Sequence, residues 1–102
     1  MTNQSPNVAP TDPRIIGFWK VVDGDYPLIN EYRPDGTRIQ HVGGRASKPS
    51  PFRTEGNHLI SSLEQPDGSI SEQKTQYEIS KNTLTFIYSP NKKMHFVRTH
   101  EA

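Results

Sequence analysis

The sequence predicts an all-β fold, an antiparallel up-and-down meander of about eight short strands forming a closed or nearly closed barrel. Three observations point there. The apolar run Ile15-Ile16-Gly17-Phe18-Trp19-Lys20-Val21-Val22 holds the only tryptophan and reads as an opening strand. Turn signals then recur at short intervals: Asp23-Gly24, Pro34-Asp35-Gly36, Gly43-Gly44, Pro66-Asp67-Gly68, Lys81-Asn82 and Pro90-Asn91. Between them lie runs of strand character, and no segment keeps a helical period over a helix-length window. Short antiparallel strands must dispose of two sheet edges, and closure removes both.

Residues 1–13 are expected to form a disordered tail, and residues 14–102 the barrel domain. Met1 to Pro10 is polar, carries two prolines and has no apolar pattern to order it. Thr11-Asp12-Pro13-Arg14 suits a single helical turn, with Thr11 or Asp12 as cap and Pro13 in the first helical position. Strands are predicted near 16–22, 28–34, 37–43, 51–55, 58–64, 70–79, 83–89 and 93–99. Alternation is clearest in the last three. Thr75, Tyr77 and Ile79 share a face, as do Leu84, Phe86 and Tyr88, and then Met94, Phe96 and Arg98. Tyr32 follows Leu28 at the matching spacing, so Tyr32, Tyr77 and Tyr88 are expected inside. Asn82 is expected to supply the positive φ of the tight turn after the 70–79 strand. The stretch Gly43 to Pro51 is basic, flexible at its start and stiff at its end, and is predicted as an irregular surface crossover.

Composition narrows the function. The 12 Lys and Arg nearly balance 11 Asp and Glu, so nothing in the net charge favours nucleic acid or an anionic membrane. The chain has no cysteine, which excludes disulfides, thiolate nucleophiles and Cys-based zinc sites and leans toward the cytoplasm. No signal peptide and no membrane span is visible in the sequence. Only 30% of residues are apolar, so the core is thin and a homodimer would add to it.

Catalytic patterns are absent. His41, His58, His95 and His100 show no metal-ligand spacing, and no serine lies in a nucleophile elbow. No cofactor is expected. Arg33, Arg38, Arg45, Lys48 and Arg53 face Asp35 alone in their segment, while Glu55, Glu64, Asp67, Glu72 and Glu78 face only Lys74 in theirs. The two segments suit each other within one molecule or between two copies. Glu31, between Ile29 and Arg33 on one strand face, is placed to pair with a base across the sheet.

Gly17-Phe18-Trp19 matches the Gly-x-Trp signature of the lipocalin-like (calycin) barrels. Arg98, near the end of the last strand, stands where that group places a basic side chain across the tryptophan. Glu31-Tyr32-Arg33-Pro34-Asp35-Gly36-Thr37 is similar to the aromatic-then-Asp-Gly-Thr hairpin of small bacterial members. The resemblance spans residues 14–100 and implies a barrel around one small ligand. On that basis the expected function is non-catalytic binding of a small, partly apolar molecule in the barrel mouth. Trp19 would close the bottom, and Tyr32, Arg38, Tyr77 and Tyr88 would line the site. The alternative is a protein-interaction module, binding a partner or a second copy, with the barrel filled by side chains. An enzyme ranks third.

Overall fold

A computed structural model describes residues 11–101. The tail predicted for Met1 to Pro10 lies outside the described residues. Asp12 caps a 3₁₀ turn at Pro13–Ile15, with Pro13 at its start and the Asp12 carboxylate accepting from the Arg14 N–H at 3.0 Å. Nine strands follow: β1 Gly17–Val21, β2 Leu28–Tyr32, β3 Thr37–Val42, β4 Arg45–Ala46, β5 Ser50–Glu55, β6 His58–Glu64, β7 Ile70–Ser80, β8 Thr83–Ser89 and β9 Lys92–Thr99.

Every pairing is antiparallel, and the sheet closes because β1 pairs with both β2 and β9 while β2 continues to β3 and β3 to β5. The closed barrel thus has eight strands, β4 standing outside it. That strand arises where a plain crossover is predicted. Gly43 and Gly44 both take positive φ, 59° and 87°, which closes a two-residue turn. Arg45 and Ala46 then fold back on Val42 and His41, and the Ser47 N–H donates to Gln40 O at 2.9 Å.

The two Pro-Asp-Gly turns are built alike. Asp35 accepts from the Thr37 N–H and hydroxyl, Asp67 from those of Ser69, and Gly36 and Gly68 take φ near 87° and 88°. The β7–β8 turn departs from expectation. Lys81, not Asn82, carries the positive φ, at 56°. Its first central position needs the left-handed backbone, and the chain puts a lysine there.

Period two sorts the interior from the exterior. Trp19, Val21, Leu28, Tyr32, Phe52, Leu59, Tyr77, Leu84, Phe86 and Phe96 form the buried core together with Ile15 from the 3₁₀ turn. That turn plugs one end of the barrel. Trp19 Nε1 donates to Ile15 O at 2.8 Å, and Arg98 donates to Ile16 O at 2.9 Å and Arg14 O at 2.6 Å. The Asp12 N–H donates to Thr54 Oγ1 at 2.8 Å, and the Tyr77 hydroxyl donates to the Asp12 carboxylate at 2.8 Å. Asp12, grouped with the tail on sequence, is thus hydrogen-bonded to β5 and β7.

Candidate functional site

Away from the plug, residues of six barrel strands, β2, β3 and β6 to β9, surround a cavity of about 130 Å³. The β2–β3 register sets its polar wall: Asn30 opposes Gln40, and Tyr32 opposes Arg38. Leu59, Phe86, Met94 and Phe96 give it an apolar wall, and Ser61, Gln73, Thr75 and Tyr88 complete the lining. Gln73 and Tyr88 are exposed and mark the rim, whereas Asn30 and Tyr32 are 3% and 1% exposed. Lys92 Nζ sits 5.8 Å from the Tyr88 ring centroid at that rim.

Three buried polar atoms of this lining have no hydrogen-bond partner: Asn30 Oδ1, Tyr32 OH and Arg38 Nε. Leaving such groups unpaired costs about 1–3 kcal/mol each, so their concentration around one space is a site signal rather than a packing detail. Burial pushes the Tyr32 hydroxyl well above its ordinary value, the neighbouring Arg38 charge opposing that shift. Burial also raises Tyr88.

Of the five residues singled out from the sequence, the structure gathers Tyr32, Arg38 and Tyr88 around the cavity. Trp19 and Tyr77 point inward but belong to the plugged end. Trp19 is fully buried with Arg98 over its ring. The Tyr77 hydroxyl is spent on Asp12, and burial together with that carboxylate raises it to about 12. Alternation assigned the correct face to Tyr77, and Trp19 stands at the closed end, where the expectation put it. Alternation could not tell that the turn at Pro13–Ile15 would reach across the barrel end and engage them. Asn30, Gln40, Ser61, Gln73 and Thr75 were missed, since a polar residue on a predicted inner face reads as an interruption of the core. Their common face was the signal.

Several other charged groups are locally paired. Glu31 meets His41 at 2.9 Å across β2 and β3, the partner its position anticipated. Arg53 bridges to Glu55 and Glu72, both at 2.9 Å, so the basic and acidic segments do meet within one molecule. Arg38 has no carboxylate partner among the described residues. Among the same residues, no three His, Asp or Glu side chains gather as a metal site, and no helix is long and apolar enough to cross a membrane. On the outer surface Lys20, Pro27, Ile29, His41, Gly43 and Gly44 border a second hollow of about 290 Å³. Comparison with protein-family models, curated proteins and solved structures finds no match.

Proposed function

We propose that this chain is a lipocalin-like, non-catalytic binder of a small, partly apolar molecule held in the cavity between the β2–β3 wall and the β8–β9 wall. One observation carries the proposal: Asn30, Tyr32 and Arg38, each with a buried polar atom that has no hydrogen-bond partner, line a space that Leu59, Phe86, Met94 and Phe96 also border. Polar groups that converge opposite an apolar wall are what fix the orientation of a ligand in a small-molecule site. A filled barrel, which the interaction-module alternative calls for, would place apolar side chains where these polar ones stand. The cysteine-free composition fits a cytoplasmic protein.

Thermal denaturation in the presence of small aromatic and aliphatic compounds, neutral and acidic, tests the proposal. Trp19 is outside the cavity, so unfolding rather than indole emission is the useful readout. A ligand at about 100 times its Kd adds about 2.7 kcal/mol of stability. In a domain of this size that is a rise of roughly 10 °C or more. No shift with any compound, alongside concentration-dependent self-association, would instead support the interaction module.

A further inference from the structure

We propose that the molecule bound is a small monocarboxylate with a short aromatic or aliphatic body, its carboxylate held by Arg38 and Tyr32. This rests on the binding function proposed above and names the ligand's chemical class.

The charge of the lining decides the sign. Its twelve residues include one guanidinium and no carboxylate. Arg38 is partly buried and has no carboxylate partner among the described residues, and its Nε–H meets no acceptor. A cationic ligand would meet like charge with nothing to offset it. A neutral ligand would leave the partly buried guanidinium without a counter-charge.

The donor set decides the group. A carboxylate accepts only, at about four lone-pair sites. It can therefore take the Arg38 Nε–H and the Tyr32 O–H together, both now unpartnered. The oxygen and nitrogen of the Asn30 amide exchange by a half-turn of χ2, which would present its NH₂ to the same anion. Burial keeps the Tyr32 hydroxyl protonated far into the alkaline range, hence a donor at any physiological pH.

Shape decides the body. Leu59, Phe86, Met94 and Phe96 offer an apolar wall that a hydrocarbon body can cover and that the further oxygens of a phosphate or sulfate cannot use. A cavity of about 150 Å³ accommodates a benzene-sized molecule. The space here, about 130 Å³ and open at Tyr88, takes a body of about that size. Lys92 at the rim adds positive charge at the entrance, which draws anions inward.

Calorimetric titration of the full chain with benzoate, benzamide and sulfate tests the inference, with Arg38→Gln as the companion variant. Benzoate is expected to bind roughly tenfold or more tighter than benzamide, a gain of the size charge-assisted bonds give. Arg38→Gln is expected to bring that ratio close to one, the loss falling mainly on benzoate. Benzamide binding as tightly as benzoate would overturn the carboxylate and leave the binding function standing. Sulfate binding as tightly as benzoate would overturn the apolar body. If none of the three binds, the monocarboxylate falls, and the binding function is decided separately by thermal denaturation with the wider set of compounds. Should Arg38→Gln fail to fold, the benzoate-to-benzamide ratio in the unaltered chain decides the matter.

Discussion

The Arg98 guanidinium carbon lies 4.2 Å from the centroid of the Trp19 indole, and the two residues are direct partners where β1 and β9 close the barrel. The same guanidinium donates to two carbonyls of the segment leading into β1. Gly17 makes this arrangement fit, since its φ is 130° and an added Cβ would stand 2.6 Å from Arg98 Nη1. Closure, plug and first strand thus share one contact.

Trp19→Ala is expected to cost about 3–5 kcal/mol through the cavity it leaves, a large part of the stability of so small a domain. Arg98→Met keeps the stem over the ring and loses the charge and both carbonyl bonds. It should cost about 1–3 kcal/mol. Urea unfolding of both variants measures this, and an unchanged midpoint in Arg98→Met would mean that the guanidinium does not bind the plug to the barrel.

The plug carries a pH signature. Asp12 is held down to about 2, chiefly by its hydrogen bond from Arg14 and further by that from Tyr77. Its folded value lies below the unfolded one, so its stabilisation is present above about pH 4 and is lost as pH falls toward 2. The side chain is 14% exposed, and the effect should amount to about 1–2 kcal/mol. Asp12→Asn should remove that acid limb. Tyr77 has the opposite sign: raised to about 12, it stabilises below pH 10 and ceases to do so as pH rises through 12. Tyr77→Phe is expected to cost about 1.5–3 kcal/mol without altering ligand affinity. Stability curves against pH for these two variants check both statements.

Tyr32→Phe separates site from scaffold. Its hydroxyl is buried without a partner, so removing it should leave the unliganded protein equally stable or up to about 1 kcal/mol more stable. Binding of a carboxylate should weaken by about 1.5–3 kcal/mol, the worth of a hydrogen bond to a charged group. The edge of the Phe52 ring contact, 5.0 Å between centroids, is retained. A loss of stability with unchanged binding would assign Tyr32 to the core alone.

Lys81→Gly tests the turn. A left-handed φ costs a lysine about 1–2 kcal/mol, and glycine adopts it freely while losing more entropy on folding. The net expectation is a gain of about 0.5–1 kcal/mol, visible as a few degrees in the thermal midpoint.

The fold was legible because it rests on period two. Tyr77 and Tyr88 had to share a face with Ile79 and Phe86, and turn residues punctuated nearly every strand. What escaped was what depends on non-local geometry. Arg45 and Ala46 pair only because two adjacent glycines reverse the chain. Asp12 looked like a tail residue, since its partners Thr54 and Tyr77 stand 42 and 65 positions away. The site was half legible for the same reason. Tyr32, Arg38 and Tyr88 carry chemistry that stands out alone, whereas Asn30 and Gln40 acquire meaning only when the register places them across from each other inside the barrel.

The central claim is that ligand enters the barrel. Amide shifts of ¹⁵N-labelled protein, followed during titration with benzoate, test it most directly. The expected result is saturable perturbation at Asn30, Tyr32, Arg38, Ser61 and Thr75, leaving Lys20, His41 and Gly44 on the outer surface unmoved. Saturable shifts confined to those outer residues, or no saturable shift at all, would contradict it.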